Sequence, residues 1–459
     1  MKLLYTTTLL LFGIALSGQY NYGLEVEQQD AKIEGKLSLD SGNRNLFIGQ
    51  NAGISITNGD SNNFIGGNSG IANTTGDDNT FIGHNSGFSN TSANNNCFFG
   101  SYSGYSTSSG SFNSYYGRGS GSANTIGNSN SFFGYNSGTQ NITGIANSFF
   151  GARSGFSNTG NSNSFFGAGA GTKNTTARDN SFFGASAGSS NTTGSDNTFI
   201  GTLAGQRNID GQANSFLGRG SGFSHTTGSK NSFFGAASGY AINSGSNNSF
   251  FGNAAGVYIT GSNNIVIGRG AGPAQSNSSQ NNKLYIDVIT SSSPGNDTPL
   301  IYGEFDNDRA GINWDSSVPL PATFAVNGTA SKTAAGDWLA NSDARLKKNI
   351  EYLSSKSMLD KVTQMKAVRY EWNDNTTGYD RPKGQQYGFI AQDLQQVWPD
   401  NVIEDAQGYL QTSYGTYDHM YVEAIKELDK KYEKIEQENQ MLKDELKAIK
   451  EILETMVSN

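Results

Sequence analysis

Between Asn45 and Gly272 one short unit recurs fourteen times, and this fixed period limits the possible folds more than any other feature. Two copies display it: Asn130-Ser-Phe-Phe-Gly-Tyr-Asn-Ser-Gly138 and Asn197-Thr-Phe-Ile-Gly-Thr-Leu-Ala-Gly205. Each begins with Asn, then any residue, two apolar residues and Gly. Two variable residues, Ala or Ser, and a second Gly follow, and a polar stretch completes the unit. The spacing is 17 residues, shortened to 16 between Gly151 and Gly167 and between Gly252 and Gly268. A short, regular period predicts a solenoid in which each repeat is one coil and neighbouring coils bury one another. The expected fold is therefore mainly β-solenoid, of the β-roll or parallel β-helix kind.

Each column of the repeat has a physical reason. The two apolar residues make a short strand, and Gly follows where the chain turns with positive φ or has no room for a side chain. Ala or Ser before the second Gly suits a corner where coils stack closely. The Asn column, from Asn45 to Asn264, predicts a ladder of side-chain amides serving backbone groups that a buried corner cannot leave unpaired.

The two apolar columns pose a problem, because adjacent strand residues point to opposite faces. Phe132 and Phe133 cannot both enter the interior of one thin coil. Burying a large apolar side chain is worth ~1.5–3 kcal/mol, so a whole column left in water would invite association. Packing against identical chains around an axis answers this. A wide single-chain coil with a distorted strand is the other solution. At ~4.8 Å per coil, fourteen coils make a rod of about 65 Å.

The repeat grammar resembles that of the β-roll heads of trimeric autotransporter adhesins, whose shorter repeats also carry Asn, an apolar strand, Gly and a small residue. This chain departs from them in repeat length and in lacking an adhesin-type membrane anchor. The polar remainders, such as Asn73-Thr-Thr-Gly76 and Asn191-Thr-Thr-Gly194, are expected to be loops. Rows of Asn, Thr and Ser there could meet a surface glycan or a receptor. Their irregularity from copy to copy argues against a flat, ice-matching face.

Composition excludes several classes. With a net charge of −8 and no cluster of Lys and Arg, no nucleic-acid partner is expected. The single cysteine, Cys97, rules out an intrachain disulfide. His84 and His225 are isolated, and no metal-ligand spacing or cofactor motif appears, so neither metal nor cofactor is expected. A polysaccharide-processing enzyme would need paired carboxylates in a groove. Asp60, Asp77, Asp78, Asp179, Asp196 and Asp210 instead sit in the variable turns.

At the start, Lys2, the apolar run Leu9 to Leu16 and the small-residue site Ala15-Leu16-Ser17 predict a signal peptide over 1–18, cut after Ser17 or Gly18. The run is too short to cross ~30 Å of hydrocarbon, and no later stretch is long and apolar enough to span. The expectation is an exported protein, extracellular or at the cell surface. A linker over 19–44 precedes the repeats at 45–272. After Pro273 the period stops, and Lys283–Ile289, Leu300–Phe305 and Thr323–Val326 read as strands of a small β neck over 273–340.

At Asn341 the composition turns to ordinary charged globular sequence. Asn341-Ser-Asp-Ala-Arg-Leu-Lys-Lys-Asn-Ile350 resembles the opening of the intramolecular chaperone domains of endosialidase-type phage tailspikes and tail fibres. Further similar stretches are Val368-Arg-Tyr-Glu-Trp372, Tyr387-Gly-Phe-Ile-Ala-Gln-Asp393, Val397-Trp-Pro399 and Tyr421-Val-Glu-Ala-Ile425. The resemblance implies a small α+β domain, here 341–418, that trimerises the chain, folds the preceding fibre and cuts itself away with a Ser–Lys dyad. Carried over, Ser342 is the nucleophile, Lys347 the base, and the bond between Asn341 and Ser342 is the one cut. Asp343, also in the motif, is expected to orient the site. The chemistry is reasonable, because a Ser hydroxyl needs a base and a buried Lys can serve. Positions i and i+5 do not share a helix face, so Ser342 must precede the helix or Lys347 must come from another chain. The plainer alternative makes Ser342 the N-cap of a helix starting at Asp343.

The end of the chain, 419–459, reads as a coiled coil. Ile425, Leu428, Tyr432, Ile435, Asn439, Leu442, Leu446, Ile449, Leu453 and Met456 alternate at spacings of three and four, with Glu and Lys on the other faces. The mixture of Ile and Leu leaves two strands and three both open. The resemblance implies three, hence a homotrimer.

Overall fold

The computed structural model describes residues 43–275, 278–289, 298–321, 323–327, 343–373, 383–404, 408–412 and 417–457. The expected signal peptide, nearly all of the linker after it, and both Asn341 and Ser342 lie outside the described residues.

The repeats form the expected β-solenoid. Each contributes one three-residue strand, from β1 (Leu46–Ile48) through to β14 (Ile265–Ile267), and each strand pairs in parallel with the next. Like residues stand on like. Phe132 pairs with Phe149 at 17 residues' separation, and Phe149 with Phe165 at 16, so the shortened repeats keep register.

The first apolar column fills the interior. Phe132, Phe149 and their equivalents from Phe64 to Phe250 are fully buried, joined by Tyr115 and Val266. Their rings stack parallel at the coil spacing, 4.8 Å between Phe64 and Phe81 and 4.8 Å between Phe165 and Phe182. The two Gly columns allow this closeness. Gly134 turns at φ +138°, and a Cβ there would meet the Gly151 carbonyl oxygen at 2.5 Å. Gly138 turns at φ +58° and lies flat against the Phe132 ring, where a Cβ would come within 2.5 Å. Small residues at the corner are buried too, and Ser120 Oγ donates to the Phe132 carbonyl at 3.0 Å.

The Asn column is a ladder. Asn79 Nδ2 donates to Asn62 Oδ1 at 3.1 Å and to the Ala93 carbonyl at 2.8 Å, while the Asn96 N–H donates to Asn79 Oδ1 at 3.0 Å. A second buried ladder runs through residues expected to be loop. It comprises Asn73, Asn90, Asn124, Asn141, Asn158, Asn174, Asn191 and Asn208. Asn191 Nδ2 donates to Asn174 Oδ1 at 2.7 Å, and Asn208 Nδ2 to Asn191 Oδ1 at 2.6 Å. Each also closes its own turn, as Asn73 does by accepting from the Gly76 N–H at 2.8 Å. The polar remainders are therefore only partly loop. His225 sits in this column, fully buried, and is no surface residue.

Beyond the repeats the sheet continues without a break. β15 (Lys283–Ile286) adds in parallel to β14, β16 (Ile301–Glu304) and β17 (Arg309–Ile312) follow antiparallel, and β18 (Phe324–Val326) closes in parallel. Tyr285, Tyr302, Trp314 and Leu320 extend the buried core into this segment.

The C-terminal unit is α+β. Helix α1 (Ser355–Val362) is followed by a hairpin-like pair, β19 (Ala367–Tyr370) with β20 (Gln386–Phe389). Then come α2 (Ala391–Val397), a second antiparallel pair, β21 (Val402–Glu404) with β22 (Leu410–Thr412), and the 40-residue α3 (Asp418–Val457). Its core gathers Met358, Leu394, Trp398, Val402, Tyr417, Met420 and Ala424. Ser355 Oγ donates to Glu423 at 2.7 Å and ties α1 to the first turns of α3.

Candidate cleavage site and association surfaces

The segment that carries the expected dyad is a short, extended approach to α1. A single 3-10 turn spans Ala344–Leu346, and Asp343 caps it, accepting from the Arg345 N–H at 2.8 Å. The Arg345 guanidinium donates to the same carboxylate at 2.7 Å and holds it below the usual carboxylate range. The helix imagined from Asp343 onward is therefore one turn, and its cap is Asp343. Lys347 follows directly and is exposed. Ser342 and the bond before it lie outside the described residues, so the structure gives no distance between nucleophile and base.

The surroundings of Lys347 are informative. Leu346, Ile350, Tyr352 and Leu353 are all exposed in the single chain, Tyr352 almost completely at 99%. Four large apolar residues within eight positions, none of them packed on its own domain, form a surface that association would cover.

The seam of α3 is a second such surface. Met420 and Ala424 anchor the helix to the domain core, and beyond them α3 projects with no buried residue. Ile425, Leu428, Tyr432, Ile435, Leu442, Leu446, Ile449, Leu453 and Met456 are each more than half exposed, and Asn439 is exposed among them.

A third surface lies along the solenoid, where the second apolar column points outward. Phe99, Tyr116, Phe133, Phe150, Phe166 and Phe183 stack in one continuous ladder, with centroids 4.6 Å apart from Tyr116 to Phe150. Phe99, Tyr116 and Phe183 stay between about a third and a half exposed, as do Ile200, Leu217, Phe251 and Ile267. The single chain resolves the two-column problem by turning one column in and the other out.

Residues 342–403 match the family model described as the chaperone of endosialidase. The C-terminal unit is a chaperone-of-endosialidase domain. Its family is associated with trimeric fibres and implies an autoproteolytic intramolecular chaperone. The matched span begins at the expected nucleophile and runs through α1, α2 and β21, stopping short of α3. A β-solenoid followed by a chaperone-of-endosialidase domain is a tail-fibre-like arrangement. No curated protein matches the chain. Among the described residues, no helix is long and apolar enough to cross a membrane, and no group of three His, Cys, Asp or Glu could hold a metal ion.

The second Asn ladder escaped sequence reasoning, although a signal was present. Asn stands eleven residues after the leading Asn in eight of the fourteen repeats, and Ile56, Thr107, His225, Ile242, Ile259 and Gln275 stand there in the others.

Proposed function

We propose that the chain is an exported, homotrimeric, fibre-like surface protein that meets a surface glycan or receptor along its shaft. Its C-terminal domain gathers three chains, sets the register of the solenoid and then cuts itself away between Asn341 and Ser342. The observation that carries this reading is the stripe on α3. Its nine apolar seam positions lie open in a single chain and repeat as a coiled coil requires.

Association comes first in this scheme. Solenoid coils expose strand edges until they are registered, and an interchain coiled coil raises local concentration and fixes alignment. The outward Phe and Ile ladder then gains a partner. Three chains also bring cover to the segment around Lys347. A lysine becomes a base when burial disfavours its charged form, and Lys347 is exposed in the single chain. Cleavage is thereby linked to assembly.

In the cut itself, Ser342 Oγ attacks the Asn341 carbonyl carbon while Lys347 takes the hydroxyl proton. The C–N bond breaks, Lys347 returns the proton to the departing amine, and Asn341 is left esterified to Ser342 Oγ. Water opens the ester, giving an Asn341 carboxylate and a fragment with Ser342 at its N-terminus. Asp343, held by Arg345, caps the turn and in this scheme orients the site.

Denaturing and native gels of wild type beside Ser342→Ala and Lys347→Ala test both parts. The expected result is a fragment beginning at Ser342 from wild type alone, with all three proteins trimeric. An intact wild-type chain within a folded trimer overturns self-cleavage. A monodisperse monomer overturns the fibre reading.

A further inference from the structure

We propose that a groove on the side of the solenoid, formed by Tyr102, Tyr105, Arg118, Ser122 and Asn136, binds a carboxylated pyranose unit of a polysaccharide. The proposal rests on the shaft being a surface-contact fibre, as argued above, and assigns that contact a place and a chemistry.

The groove exists because two neighbouring columns that carry rings in one coil both carry small residues in the next. Phe88 and Tyr105 stack at 4.9 Å, and one coil further on the same column carries Ser122. One face of the Tyr105 ring is thus covered by Phe88, and the stack ends there. In the neighbouring column Tyr102, 40% exposed, is followed by Gly119. Gly119 turns at φ +69°, and a Cβ there would sit 2.4 Å from Asn136 Oδ1, so a side chain at this position would displace the Asn136 amide. Two large rings therefore stand beside two positions with almost no side chain, leaving a groove of about 380 Å³. That is the size of a small-ligand site.

The lining sets the ligand class. Tyr102 and Tyr105, 5.7 Å apart and tilted at 42°, offer ring faces whose negative charge attracts the C–H face of a sugar ring. Asn136 occupies the column in which Asn51, Asn68 and Asn85 bond amide to amide, but its neighbours there are Gly119 and Arg153. Its amide makes no hydrogen bond with any described residue and remains for hydroxyls. Arg118 is exposed and, among the described residues, forms no ion pair. A guanidinium fork matches a carboxylate in two parallel hydrogen bonds, so a uronic-type sugar fits better than a neutral one.

The test uses the full chain, with tetragalacturonate as acidic probe and maltotetraose as neutral control, read by calorimetry. Wild type is expected to bind tetragalacturonate, and Arg118→Gln to weaken it at least tenfold while leaving maltotetraose unchanged. Ser122→Phe, which continues the stack across the groove, abolishes binding, and Tyr105→Ala weakens both probes; melting curves confirm that each variant is folded. Equal affinities across all variants, or no binding of tetragalacturonate by wild type, overturn the groove. A panel of immobilised surface polysaccharides separates the two levels. Retention that Ser122→Phe leaves intact overturns the groove and leaves the fibre reading standing, whereas no retention at all counts against both.

Discussion

Asn130 reaches back one coil to Asn113, and its backbone N–H and its side-chain amide both donate to Asn113 Oδ1, at 3.0 and 3.1 Å. The same amide donates to the Gly144 carbonyl at 2.8 Å, and Asn130 Oδ1 accepts from the Asn147 N–H at 3.0 Å. One fully buried side chain thus serves three coils. Asn130→Ala strands buried groups that each cost about 1–3 kcal/mol, so a loss of about 3 kcal/mol is expected by denaturant melting. Asn130→Asp should be worse, since it removes both donors and buries a charge facing Asn113 Oδ1. A shift below ~0.5 kcal/mol for either would mean that the ladder is ornament.

Phe149 and Phe150 are chain neighbours with opposite faces, one fully buried and one partly exposed. Phe149→Ala opens a cavity between Phe132 and Phe165, and a loss of about 3–5 kcal/mol is expected. Phe150→Ala should leave the melting of an isolated chain within about 1 kcal/mol and weaken association instead. Melting and sedimentation of the two variants side by side check this. If both behave alike, the outward ladder is not an association face.

His225 occupies the second Asn ladder one coil after Asn208, with Nε2 2.9 Å from the Gly228 carbonyl, while Nδ1 and Asn208 Oδ1 are buried and, among the described residues, have no partner. Burial pushes the imidazole down to about 4. An unfolded chain takes up this proton near the ordinary histidine value of ~6.5. The stability that the neutral ring contributes is therefore complete above about pH 6.5. It is lost as pH falls toward 4 and levels off below that, a loss on the order of 3 kcal/mol. His225→Asn should flatten this slope and, by donating to Asn208 Oδ1, raise stability near neutral pH by about 1 kcal/mol. Melting temperatures of both proteins across pH 4–8 give the comparison. Parallel curves would falsify the assignment.

Much of this was legible because the solenoid repeats its grammar. The Asn45-to-Asn264 column, the inner apolar column and the Gly turns hold in every copy, so each announces its role. The second ladder was harder to see, because only eight of the fourteen repeats carry its Asn, Thr107 breaks it, and its members lie in variable-looking polar stretches. Hydrogen bonding to a turn tolerates such replacements where a stacked ring does not. The strand Arg309–Ile312 was equally hidden, since an Arg-Ala-Gly run carries no strand pattern of its own and forms by pairing with β16. At the proposed cut site, Ser342 and Asp343 are residue types that both favour helix caps, in adjacent positions. Sequence alone cannot choose between them, and the Arg345 contact decides for Asp343.

Asn439 interrupts the apolar seam of α3 midway, between Ile435 and Leu442. Inside a coiled coil a polar residue at this position must find its equivalents on the partner helices, which disfavours other registers and other numbers of strands at some cost in stability. Asn439→Leu should therefore raise the melting temperature of the assembly while relaxing its stoichiometry. Leu446→Asp, one heptad on, would place three carboxylates against one another in the proposed trimer and should dissociate it. Sedimentation equilibrium reads both. A single trimeric species for Asn439→Leu would assign the register to the solenoid instead, and an undisturbed trimer for Leu446→Asp would remove α3 from the interface.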